Sequence, residues 1–149
     1  MTEASRAAHP LTLLHPRLIG PGAVLLSGAL LTDLLYWRTA SMQWETFSIW
    51  LLTAGLMLAA LAGIALLLDV ALRRAGKIAW SRFAALTAAA LLSFLNAFIH
   101  SRDGYTSVVP EGLTLSAIVT VTLLAIGSRG WSLSSARPSS PTSTPGAGS

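Results

Sequence analysis

The sequence predicts an all-α, polytopic membrane protein, a bundle of four transmembrane helices with both termini cytoplasmic. Three observations carry that expectation. Of 149 residues, 53% are hydrophobic and 11% are charged, less than half the roughly 25% charged share of a soluble domain. Uncharged runs cover residues 18–32, 46–68, 83–101 and 112–128, close to the ~20 apolar residues needed to cross hydrocarbon as a helix. The basic residues are also sorted by loop. Arg6, Arg17, Arg73, Arg74, Lys77, Arg82, Arg129 and Arg137 fall on one side of an even number of spans, and only Arg38 and Arg102 on the other. The positive-inside rule places the richer side in the cytoplasm.

Residues 1–15 form a polar lead-in, 16–131 the four-helix domain with spans at about 16–37, 47–70, 79–100 and 111–129, and 132–149 a disordered Ser/Pro-rich tail. The first span has two proline starts. Beginning at Pro21 leaves about 24 Å up to Tyr36, short for a bilayer, whereas Pro16 gives about 31 Å and turns Pro21 into a kink. The second span carries Trp44 and Trp50 as an interfacial belt, and Gly55, Ala59 and Gly63 as a small-residue stripe for close helix approach. The third is alanine-rich. The fourth is diluted by Thr114, Ser116, Thr120 and Thr122, whose hydroxyls can bond to helix carbonyls or to a neighbour. From Ser132 the chain turns to Ser, Pro, Thr and Gly without apolar periodicity.

The composition excludes several classes. With no cysteine there are no disulfides, thiolate metal sites or thiol nucleophiles. The pI near 10.7 reflects residues that flank apolar spans rather than line one face, so nucleic-acid binding is not predicted. No small-residue cleavage site stands clear of the first apolar run, so no cleavable leader is predicted. No phosphate loop, zinc-protease helix or nucleophile elbow is present.

Polar residues near the spans are then the functional candidates, because a mid-bilayer charge costs at least about 2.5–3.5 kcal/mol. One layer contains Asp33, Asn96, His100, Arg102 and Asp103; the opposite layer contains His9, His15 and Asp69. Asp33, a turn before Tyr36 and Trp37, reads first as a helix-end carboxylate paired with Arg38 or Arg102, and alternatively as a buried proton or metal site. Asn96 and His100 share a helix face four residues apart. Pointing inward beside Asp33 they would make a polar pocket; otherwise Asn96 bonds a neighbouring helix and His100 caps the span in headgroup water. Asp69 and Arg73 have the acid-before-base spacing of a helix-end pair. His9 and His15 could both reach one metal with Asp69 as a third ligand, although a metal-free surface pair is the favoured reading. No cofactor is predicted. A haem or metal ion is the alternative, but bis-histidine haem is opposed by the separation of His100 from His9 and His15, roughly a 30 Å hydrocarbon thickness.

The stretch from Leu95, L-N-A-F-I-H-S-R-D-G-Y-T-S-V-V-P-E-G-L-T-L-S, the lead-in H-P-R-L-I-G-P from His15 and the acid at Asp33 resemble a family of small bacterial membrane proteins, domain of unknown function 2231. The resemblance covers about residues 9–128. It implies four transmembrane helices, a bacterial inner membrane and no assigned activity. It also marks Asn96, His100, Arg102, Asp103, Pro110 and Gly112 as the most constrained block, with His15, Pro16 and Asp33 next. The chain departs from the family's Gly-Gly and Tyr-Arg-His ending, with Gly127-Ser-Arg-Gly-Trp131 instead. Within this block Pro110 can pre-set the start of the fourth helix, and Glu111 suits its positive end. The leading functional expectation is a structural or accessory membrane protein in the lipid bilayer, with a membrane-protein partner or a second copy. Its alternatives are a redox or metal protein using His100 and Asp33, and a small proton-coupled carrier, the last disfavoured by the small number of helices.

Overall fold

Long apolar runs without an interior charge fold as helices in lipid, because only a helix satisfies every backbone polar group within one segment. The computed structural model describes residues 14–73, 75–102, 108–131 and 133–136. Four long helices result: α1 (Leu14–Thr39), α2 (Met42–Ala71), α3 (Trp80–Ser101) and α4 (Leu113–Gly127). Each lies in a segment long and apolar enough to cross a membrane: Pro16–Thr39, Met42–Ala71, Trp80–Ser101 and Val109–Gly127. Helix α2 starts earlier than the apolar run suggests, since its first turn is the amphipathic Met42–Glu45 with its acid at the positive end. Helix α1 contains Pro21, as the longer of the two alternatives requires.

The helices run up and down in a ring, each packing on the next and α4 returning to α1, with the α1–α2 hairpin the most extensive pairing. That hairpin turns on Ala40, which takes a positive φ of 49°. Its arms meet at Gly22 and Gly55. A Cβ on Gly55 would lie 2.7 Å from Leu26 and 3.2 Å from the Gly22 carbonyl oxygen, and one on Gly22 3.3 Å from Leu58. The small-residue stripe of α2 is therefore used at Gly55, whereas a Cβ on Gly63 would meet nothing within 4 Å.

The radial distribution is inside-out relative to a soluble protein. Asp33, Ser48, Asp69, Ser93 and Asn96 are 0% exposed, while Met57, Leu67, Leu91, Val121 and Leu124 are each more than 60% exposed. An apolar surface this continuous suits lipid rather than water. Between the two surfaces Leu26, Ala29, Leu52, Ala89, Val119 and Leu123 form the central core. Hydroxyls of Thr32, Thr53, Ser93 and Thr122 donate to carbonyls three or four residues back, keeping each satisfied within its own helix, and Thr114 donates to Pro110 just before α4.

At the Asp69 end, β1 (Ala75–Ile78) pairs antiparallel with β2 (Ser134–Ala136). The expected structureless tail from Ser132 is thus corrected over its first residues. Leu133 is buried and its carbonyl accepts the Ala79 N–H at 3.0 Å, so the chain beyond α4 is drawn back against the start of α3. Trp131 lies across the ends of α1 and α4, where a Cβ on Gly127 would come within 2.5 Å of its ring. Nearby, Leu26 of α1, Gly63 and Leu66 of α2, Phe83 and Leu86 of α3 and Leu123 of α4 are among the residues lining an apolar cleft of about 170 Å³.

Candidate functional site: a buried polar knot joining four helices

The α1–α2 hairpin is nearly symmetric about its turn. Asp33 lies seven residues before Ala40 and Ser48 seven after Ser41, so both side chains reach the same depth. The Ser48 hydroxyl donates to Asp33 Oδ1 at 2.6 Å. From α4, the Ser116 hydroxyl donates to Asp33 Oδ2 at 2.5 Å. From α3, His100 Nε2 stands 2.9 Å from Asp33 Oδ1. Asn96, one turn before His100, donates its amide N–H to the Ser116 hydroxyl at 2.7 Å, completing a relay from Asn96 through Ser116 to the carboxylate. All five side chains are buried. One carboxylate on α1 therefore accepts bonds from α2, α3 and α4.

The donor and acceptor inventory fixes the protons. His100 Nδ1 lies 2.9 Å from the backbone carbonyl of Asn96, which can only accept, so Nδ1 carries a hydrogen. Nε2 faces a carboxylate oxygen, and one further proton must lie between them for that contact to be attractive. Whichever atom holds it, the His100–Asp33 pair has no net charge. Neutrality matters here, because an isolated buried carboxylate would incur the full cost of desolvation.

Packing seals this knot on one side. A Cβ on Gly112 would stand 2.9 Å from His100 Cε1 and 3.3 Å from Asn96 Oδ1, so the segment leading into α4 approaches the imidazole as only glycine allows. That segment, Val108–Gly112, is a wide kinked turn in which Val109 has extended backbone angles and the Val109–Pro110 bond is cis. Asn96 Oδ1 is buried with no hydrogen-bond partner among the described residues.

Several sequence expectations are corrected by this geometry. Asp33 is held by Ser48, Ser116 and His100, not by Arg38 or Arg102; both arginines are exposed. His100 turns into the bundle rather than capping its span in headgroup water. Arg102 is exposed, and its backbone N–H closes α3 on the carbonyls of Phe98 and Ile99. Asp103 lies outside the described residues. At the other end, Asp69 is fully buried, and Arg73 lies past the end of α2 with φ of 54°. His9 and the side chain of His15 lie outside the described residues. Among the described residues no three His, Asp or Glu side chains converge as a metal site.

Ser48 is the participant that polar-residue counting passes over. Its signal was the hairpin symmetry: the residue mirroring Asp33 about a two-residue turn is a serine inside an otherwise apolar span.

Comparison with known proteins agrees with this architecture. No curated protein and no solved structure matches the chain. The sequence profile of one family, described as a predicted membrane protein (DUF2231), matches residues 9–137. That range includes all four helices, the knot and the β1–β2 ribbon, and the chain belongs to this family of multi-pass membrane proteins.

Proposed function

We propose that the chain is a structural or accessory subunit of the bacterial inner membrane, in which the Asp33 knot fastens four helices into a fixed bundle. One observation carries this reading: both oxygens of Asp33 and both ring nitrogens of His100 are taken up by protein groups from four helices. A side chain so committed serves cohesion, since lipid tails are as apolar as leucine and hydrophobic burial gives helices little reason to prefer one another. Polar bonds and close packing supply that preference instead. The eight-to-two distribution of Lys and Arg supports an orientation with both termini cytoplasmic. Single cysteines at Met42, Lys77 and Thr106 should label from outside, inside and outside, and labelling of position 77 from outside would reverse it.

The competing redox reading requires His100 Nε2 to exchange Asp33 for a metal or haem iron. The two readings separate in one preparation. Asp33→Asn and His100→Gln proteins are purified from native membranes alongside wild type, and yield, thermal unfolding and visible absorption are compared. Loss of yield and thermal stability supports the cohesive role. Variants as stable as wild type, combined with a Soret band or stoichiometric metal that disappears with His100, would replace it by the redox reading.

A further inference from the structure

The seam between α3 and α4 has two sides. On the inner side Asn96 and Ser116 meet within the knot. The residues that precede them, Leu95 and Leu115, instead line an open groove, together with Phe98, Ile99, Arg102 and Glu111. The groove has a volume of about 460 Å³, and Leu95 and Phe98 are each 55% exposed. From Leu95 to Arg102 it follows α3 for about 10 Å along the axis.

The composition of the groove is graded along that length. Leu95, Phe98, Ile99 and Leu115 make its deeper part apolar, and Arg102 and Glu111 add one positive and one negative charge. Arg102 caps the C-terminus of α3, and Glu111 lies in the turn that leads into α4. Both charges therefore stand where spans end and headgroups begin. Both residues are exposed, and among the described residues neither side chain has a hydrogen bond or an ion pair. An apolar strip leading to a cation and an anion that do not pair with each other complements an amphiphile with both charges in its polar head.

We propose that the α3–α4 groove binds a zwitterionic phospholipid bearing a primary ammonium, with its phosphate at Arg102, its ammonium at Glu111 and one acyl chain along Leu95, Ile99 and Leu115. The planar guanidinium presents a fork of N–H donors that matches phosphate oxygens. The Glu111 carboxylate accepts charge-assisted N–H bonds from an ammonium. A quaternary choline has no N–H to donate, and an uncharged glycerol head leaves the carboxylate without a counter-ion. Basic residues beside a gap between membrane helices are a usual setting for lipid headgroups, and here the carboxylate selects among them. The site lies outside the Asp33 knot and does not depend on the role assigned to it.

The test is native mass spectrometry of the full chain released from nanodiscs containing equal amounts of palmitoyl-oleoyl phosphatidylethanolamine, phosphatidylcholine and phosphatidylglycerol. The wild-type chain is expected to retain one phosphatidylethanolamine, about fivefold in preference to either of the others. Glu111→Gln, at an exposed position, should bring retention of phosphatidylethanolamine down to that of phosphatidylcholine. Arg102→Gln should lower retention of all three lipids about fivefold. Equal retention of the three lipids by wild type would overturn the proposal without recourse to any variant, as would a preference for phosphatidylglycerol. So would a preference for phosphatidylethanolamine that survives Glu111→Gln. Disulfide cross-linking of two chains through Leu95→Cys would also overturn it, by placing a second copy in the groove.

Discussion

The two ends of the bundle solve the same problem by different chemistry. At the Asp33 end, five buried polar side chains from four helices are tied by short hydrogen bonds, and the approach of Gly112 to His100 leaves no room for a methyl group. At the Asp69 end, apolar contacts, Trp131 lying across Gly20 and Gly127, and the β1–β2 ribbon contribute to the packing, and an apolar cleft lined from all four helices remains. In lipid, apolar contact alone discriminates poorly between a neighbouring helix and an acyl chain. The hydrogen-bonded knot gives one end a preference among helices that apolar contact alone does not supply.

That contrast is broken most severely at Asp33. Asp33→Ala leaves the His100, Ser48 and Ser116 donors without their acceptor, and a loss of about 3–5 kcal/mol is expected, as for other broken buried pairs. Reversible unfolding in mixed micelles should read it directly. Gly112→Ala comes next: its methyl would press on His100 and Asn96, at a cost of about 1–3 kcal/mol by overpacking, visible as a lower melting temperature and a displaced His100 ring resonance. Gly55→Ala should fall in the same range, since Leu26 and the Gly22 backbone stand in its way. Ser48→Ala removes one of three donors to Asp33 and is expected to cost only about 0.6–1.7 kcal/mol, the range of hydrogen bonds between membrane helices. At the other end Gly63→Ala should be neutral or stabilising by up to about 1 kcal/mol, because it gains helix propensity and meets open space. A destabilised Gly63→Ala would show that the cleft is more tightly packed than its geometry indicates.

Much of the fold was legible in the sequence because the membrane imposes one strong rule. Four uncharged runs, each near the length of a bilayer crossing, became four helices, and proline at position 21 did not end the first. The site was partly legible. Depth along the spans grouped Asp33, Asn96 and His100, and helical spacing put the latter two on one face. Depth does not reveal direction around a helix, however. Depth alone therefore pairs Asp33 with Arg38 or Arg102, which lie at a similar level but are exposed. Ser48 was hidden because a serine costs little in an apolar span and leaves no charge to notice. Leu133 and the short ribbon were hidden for a related reason: one leucine in a Ser-rich stretch has no periodicity, and its burial depends on a groove made by distant helices.

The central claim is that Asp33 and His100 act as one neutral hydrogen-bonded unit that fastens α1 to α3. A double-mutant cycle of Asp33→Ala and His100→Ala, measured by unfolding in the same micelles, tests it most directly. If the pair is the unit described, the two losses will be strongly non-additive, with a coupling of about 1–3 kcal/mol, and the double variant will be little worse than Asp33→Ala alone. Additive losses would contradict the account, since they would mean that the two side chains stabilise the bundle independently of each other.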